Sequence, residues 1–155
     1  MDVTALRKAH EDFLAVAAGG GFGPPPAGEW DAARLLAHVG AADAAIASVA
    51  LAVTGGQRAA YDNRASLDEW TLCRIVAECG GLAGLAEFVA TQGRLFCEIA
   101  AGLPESARSV RIPVLIVSGD QMIVDEPWSL GDLVEGVGTV HLPRHARQLA
   151  GLRSL

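Results

Sequence analysis

Apolar side chains recur three and four residues apart along most of this chain, and glycine or proline closes each run. That spacing gathers them on one face of a helix. The first run covers residues 2–18, where Leu6, Phe13, Leu14 and Ala17 form a stripe mostly opposite Arg7, Lys8, Glu11 and Asp12. Gly19-Gly20-Gly21 ends it, and Pro24-Pro25-Pro26 makes a stiff connector. The second run covers residues 31–53, with Asp31 placed to cap it and Leu35, Ala42, Ile46 and Val49 on one side. Thr54-Gly55-Gly56 stops it, and a polar loop follows to Arg64.

The third helix is expected to begin at Ser66, which has capping-box spacing to Glu69, with Asp68 adding charge suited to a helix N-terminus. Its apolar positions run from Leu72 through Phe96 and Cys97 to about Ala101. Gly80, Gly81, Gly84 and Gly93 weaken it and imply close approach of a neighbour, or a bend. After Gly102-Leu103-Pro104 the pattern changes. Val110–Val117 and Gln121–Val124 are short β-type runs joined by Ser118-Gly119-Asp120, which predicts a small hairpin with Pro113 at an edge. Ser129 and Asp132 then suit the start of a fourth helix from Leu130 to about Leu152, irregular at Gly136, Gly138 and Pro143. The expected fold is all-α: a four-helix bundle with a short β-hairpin-like excursion between helices three and four, one domain over residues 1–155.

Composition supports this. The chain is 51% hydrophobic, much of it alanine, and only 5% aromatic, which favours close-packed helices. The net charge of −6, with no basic run, argues against generic nucleic-acid binding. No apolar leader opens the chain, and the apolar stretch Val39–Val53 is short for a bilayer and contains Asp43, so a cytoplasmic protein without a membrane span is expected. Cys73, Cys79 and Cys97 form no C-x-x-C and read as reduced thiols packed with the core. Trp30, Trp70 and Trp128 each sit at or before a helix start, where corner packing is expected, with a ligand pocket as the other reading for one of them.

Three of the four histidines fall on inward faces: His38 on the second helix, and His141 and His145, four residues apart, on the fourth. Helix bundles build metal sites from such inward side chains on facing helices. Three neutral imidazoles with an open position suit zinc, nickel, iron or a similar divalent ion. Spacing alone equally allows hydrogen-bonded core histidines. No H-E-x-x-H is present.

The stretch Trp30-Asp31-Ala32-Ala33-Arg34-Leu35-Leu36-Ala37-His38-Val39 resembles the second-helix signature of the DinB/YfiT-like superfamily, which includes the N-terminal domains of mycothiol-dependent maleylpyruvate isomerases. Trp128-Ser129-Leu130-Gly131-Asp132-Leu133-Val134 resembles the opening of that family's last helix. His141-Leu142-Pro143-Arg144-His145-Ala146-Arg147-Gln148-Leu149 resembles its closing H-x-x-x-H-x-x-Q-[IL] pattern. The resemblance covers about residues 2–152. It implies a four-helix bundle with a divalent metal, zinc or nickel first, at His38, His141 and His145. It also implies chemistry of the thiol transferase, isomerase or hydrolase type on a small molecule, with a low-molecular-weight thiol such as mycothiol as partner, and a possible homodimer.

Two departures from the family pattern stand out. Many members have a further histidine one turn before the pair, where this chain has Val137. Pro143 lies between the two proposed ligands, so the fourth helix is expected to bend or restart there with both rings still converging. Gln148 is placed to partner a ligating ring, His10 reads as packing, and Arg144 and Arg147 as solvent-facing or able to recognise an acid. Glu29, Glu78 and Asp43 are candidate bases that nothing selects between. Two further functions remain open: a non-enzymatic metal- or ligand-binding module, and a bundle without metal.

Overall fold

A computed structural model describes residues Met1–Arg153. Helix α1 (Thr4–Gly19) leads through the proline connector to α2 (Ala32–Thr54). Strand β1 (Tyr61–Asp62) and a 3₁₀ turn (Asn63–Ser66) precede α3 (Glu69–Cys79) and α4 (Leu82–Ala101). A short α5 (Glu105–Arg108) leads to β2 (Arg111–Ser118) and β3 (Gln121–Ser129). The chain closes with α6 (Leu130–Gly136), a π-helical turn (Val137–His141) and α7 (Leu142–Gly151). The architecture is thus mainly helical with a small three-stranded sheet, which corrects the plain all-α four-helix bundle.

Helix α2 is the centre. Leu35, Leu36, Val39, Ile46 and Ala50 are all buried in one core with Phe13 of α1, Leu85, Val89 and Phe96 of α4, and Leu142 and Leu149 of α7. It is long and apolar enough to span a bilayer by length and composition, but most of that window is buried inside the fold. Asp31 caps it as expected, its carboxylate accepting from the Arg34 amide at 2.8 Å.

The single third helix expected from the sequence is two helices. Gly80 and Gly81 both take positive φ, and the chain turns between α3 and α4. The cap also differs: Asp68, not Ser66, accepts from the Thr71 amide at 2.9 Å. The acid one residue ahead of Glu69 reaches the free amides, while Ser66 is drawn into the 3₁₀ turn, where its hydroxyl donates to the Asn63 carbonyl.

The hairpin exists and is longer than its apolar runs. Strands β2 and β3 pair antiparallel from Arg111–Ser129 to Ser118–Gln121, with a register shift after Ile116. Pro113 lies opposite Pro127, so two residues with no N–H to donate face each other. The third strand was invisible in the polar loop: Tyr61 and Asp62 pair parallel with Val114 and Leu115, which makes β2 the middle strand. Asn63 ties this turn to β2, donating to the Val117 carbonyl and accepting from its amide, both at 2.9 Å.

The last helix restarts as its proline requires. Pro143 has no N–H, and its ring crowds the carbonyl four residues back. The backbone widens into a π turn ahead of it, with the Leu142 amide reaching the Val137 carbonyl five residues away. Pro143 then sits in the first turn of α7, where a missing amide costs nothing. Serine capping at Ser129 holds, its hydroxyl accepting from the Asp132 amide at 3.0 Å.

Close packing fixes this turn against α1. A Cβ on Gly138 would lie 2.9 Å from Leu6 Cα and 3.2 Å from its nitrogen. Alanine there gains about 1 kcal/mol of helix propensity, but pushing on backbone costs about 1–3 kcal/mol. Gly138→Ala is expected to lower the urea midpoint and Tm; an unchanged or raised midpoint would contradict the contact.

Candidate metal centre

The structure brings His38, His141 and His145 together from α2, the π turn and α7, each offering a ligand atom within 4.8 Å of the others. Ring centroids are 5.2 Å apart for His38–His141, 4.9 Å for His38–His145 and 4.6 Å for His141–His145. The convergence depends on the restarted helix, since His141 ends the π turn and His145 falls in α7.

Outer partners fix which nitrogen of each ring faces inward. His38 Nδ1 donates to the Ser66 carbonyl at 2.7 Å, and His145 Nδ1 donates to Gln148 Oε1 at 3.0 Å. Protons held on Nδ1 leave the Nε2 lone pairs free, the arrangement found behind metal-binding histidines. His38 Nε2 and His141 Nε2 approach to 3.1 Å. Tetrahedral zinc with Zn–N of 2.0–2.1 Å spaces two ligand nitrogens about 3.3 Å apart. The pair is therefore already near ligand spacing. The fit is incomplete at one atom: His141 Nδ1 is buried with no partner.

All three rings are held neutral. Burial lowers the His38 pKa, with the Ser66 bond opposing it. Burial, then the neighbouring His145 and His38, drive His141 well below its usual range. Burial and His38 lower His145 to about 4, against the opposing Gln148 bond. Neutral imidazole is the form that binds divalent metals. Trp30 packs on His38 with ring centroids 5.1 Å apart, so one tryptophan of the three does border this centre.

Other expectations divide. Arg144 and Arg147 face solvent. Cys97 is buried, but Cys73 is exposed, which corrects the reading of all three thiols as core packing. Trp70 is 69% exposed and lies under Arg74 instead of filling a corner. Among the described residues no carboxylate joins the three histidines. Glu29 and Glu78 are exposed, while Asp43 is buried against His10.

That last pair was missed. His10 Nε2 lies 2.9 Å from Asp43 Oδ2, and His10 Nδ1 donates to the Leu6 carbonyl at 3.0 Å. Both ring nitrogens face acceptors, so the ring is an imidazolium beside a carboxylate. Burial is the largest single influence and opposes that charge, but the bond to Asp43, the Cys97 thiol, the Asp43 charge and the Leu6 carbonyl together outweigh it and push His10 up to about 10. The sequence held a weak signal in a charged residue within the most apolar run. The Ser66 carbonyl carried none, because a backbone group leaves no mark in residue identity.

These shifts give metal-free protein a bell-shaped stability. A histidine kept neutral in the fold contributes fully above its unfolded pKa of 6.5, and that contribution is lost as pH falls toward the folded value, about 4 for His145. His10 has the opposite sign: its contribution is complete below 6.5 and lost as pH rises through about 10. Urea midpoints of metal-free protein are expected to peak near pH 6.5 and fall on both sides. His145→Gln should make the acid limb shallower; an identical limb would contradict the neutral assignment.

No protein-family model matches this sequence, and no curated protein matches it. The fold is similar to the crystal structure of a mycothiol-dependent maleylpyruvate isomerase, with a TM-score of 0.76, 12% identity, and coverage of 98% of this chain and 60% of that one. A histidine-to-alanine mutant of such an isomerase matches with a TM-score of 0.72 at 12% identity and the same coverage. The chain therefore spans 60% of the length of these structures. At this identity the likeness is one of fold, and at that level the expected relationship to the isomerases' helical domain holds.

Proposed function

We propose that this chain is a divalent-metal protein of the DinB-like kind, with His38, His141 and His145 as ligands and zinc or nickel as the metal. One observation carries the reading. Three neutral rings from separate elements turn a nitrogen toward one another, and two of them have the outer nitrogen already occupied. Chance core histidines need partners too, but nothing requires them to converge.

A divalent ion with an open position supplies Lewis acidity, lowering the pKa of a thiol or water there and favouring the nucleophilic form. The chain's own residues supply the rest. Ser66 and Gln148 keep His38 and His145 in the required tautomer, and Trp30 forms an apolar wall beside His38. The exposed Arg144 and Arg147 are available to an acidic group on a small molecule. We assign the partner to the low-molecular-weight thiols, mycothiol first, in chemistry of the thiol transferase, isomerase or hydrolase type. The support is the similar fold of a mycothiol-dependent maleylpyruvate isomerase. The protein in this reading is cytoplasmic, and this chain forms one domain. The reading includes a homodimer; Leu51 on α2 and Leu82 and Leu95 on α4 are apolar side chains left exposed in the single chain.

A second reading, a non-enzymatic metal- or ligand-binding module, is favoured by one observation: among the described residues no carboxylate or thiol joins the three rings.

Metal analysis of purified protein tests the first reading. One equivalent of metal is expected in wild type, with loss in both His38→Ala and His145→Ala. Full retention in either variant would remove that residue from the ligand set. Adding thiol to cobalt-loaded protein should alter its visible spectrum; no change, together with no turnover of thiol and electrophile mixtures, would leave the module reading.

A further inference from the structure

Each ligand ring in the candidate centre has an outer nitrogen to satisfy. Ser66 serves His38, and Gln148 serves His145. His141 Nδ1 is buried and bonded to nothing. Burying such a group alone costs about 1–3 kcal/mol, and native folds rarely leave it so.

Only a few buried side-chain atoms share that condition among the described residues: Arg34 Nε, Arg108 Nε, Asp43 Oδ1 and His141 Nδ1. The two arginines are paired through other nitrogens with Glu69 and Glu105. That leaves, in the interior, one unpaired acceptor and one unpaired ring nitrogen. Asp43 is fully buried, and its other oxygen is committed to His10 at 2.9 Å.

Packing brings the His10 ring, which holds Asp43, to the level of His141 in the bundle. Leu6 of α1 abuts Gly138, and further on Arg153 donates to the Val16 carbonyl at 2.7 Å, so α1 and the last helix run alongside in the same direction. His10 lies four residues beyond Leu6, and His141 three beyond Gly138. At about 1.5 Å per residue these steps differ by under about 2 Å, so the His10 ring comes level with His141. The charge of His10 accordingly contributes to depressing His141. Gly93 on α4 makes the room: a Cβ there would sit 2.4 Å from the His10 ring. His10 in turn holds Asp43.

We propose that Asp43 is a positioning residue for His141, its free Oδ1 joined to His141 Nδ1 through one buried water. No direct hydrogen bond joins the two atoms, and a water that bridges buried polar groups needs unpaired partners of this kind. The link completes a carboxylate–histidine arrangement behind the third ring, equivalent to what Ser66 and Gln148 do for the other two. It also gives the His10–Asp43 pair a purpose: burial raises the Asp43 carboxyl, and the bond from His10 opposes that rise and holds one of its oxygens in place. The function in metal binding rests on the reading of His38, His141 and His145 as ligands.

Crystal structures of metal-free wild type and of zinc-loaded wild type and Asp43→Asn, with zinc affinities from chelator competition, test this. The expected result is an ordered water within hydrogen-bond distance of His141 Nδ1 and Asp43 Oδ1 in both wild-type crystals. Zinc affinity should fall about 10–100-fold in Asp43→Asn. Val89→Ala, which opens a cavity in the buried core of α4 and leaves every polar group of the link in place, controls for general destabilisation and should keep wild-type affinity. A wild-type crystal with no such water, or an Asp43→Asn affinity equal to that of Val89→Ala, overturns the proposal. Should wild type take up no zinc, the metal reading fails on its own, and the water in the metal-free crystal still decides the Asp43 link.

Discussion

An imidazole taken out of water has two nitrogens to satisfy, and this bundle takes in four of them. The arrangement of its helices follows closely from where those nitrogens find partners. His10 ties α1 to α2 through Asp43, and to its own preceding turn through Leu6. His38 ties α2 to the 3₁₀ turn through the Ser66 carbonyl. His145 is held within α7 by Gln148. Apolar burial supplies the driving force for collapse, but it is not directional. The polar contacts decide which rotation of each helix, and which level along it, is compatible with the fold.

Within that frame Pro143 becomes an asset. A straight α-helix from Leu130 to Leu152 would carry His141 and His145 on one face with a broken ladder between them. The π turn absorbs the missing N–H before the proline, and α7 begins where the proline is tolerated. Widening the helix at Val137–His141 alters the rotation of His141 relative to the residues before it, while leaving α7 regular enough to hold His145 and Gln148 in bonding register. Gly138 permits α1 to press against the widened turn.

Much of this was legible in the sequence for a physical reason. Periodicity and capping are local, so the bounds of α1 and α2, the Asp31 and Ser129 caps, and the restart near Pro143 could be read from neighbouring residues. The three converging histidines were legible because each lay on an apolar stripe. What failed was non-local or ambiguous in local chemistry. Gly80-Gly81 permits a turn without requiring one. Asp68 and Ser66 can both cap, and only the pull of the 3₁₀ turn separates them. Strand β1 has no pattern of its own, being two residues that owe their form to β2. Trp70 and Cys73 sit beside core positions on a helix whose outer face points to solvent.

The sheet then has a place in the argument that its small size conceals. It stands largely outside the helical core, yet Asn63 clamps the 3₁₀ turn to β2 through Val117, and the same turn presents the Ser66 carbonyl to His38. The orientation of one ring in the candidate centre is therefore set by a strand pairing about fifty residues further along the chain. An ion held by three neutral imidazoles would retain its full double charge, because no carboxylate of the described residues stands in the cluster. The exposed Arg144 beside it disfavours protonation of all three rings, and so adds to the positive potential there. Such a centre favours an anionic occupant in its open position, a thiolate or a deprotonated water over a neutral molecule. The electrostatics thus favour an anion of any kind at this centre, independently of any likeness of fold.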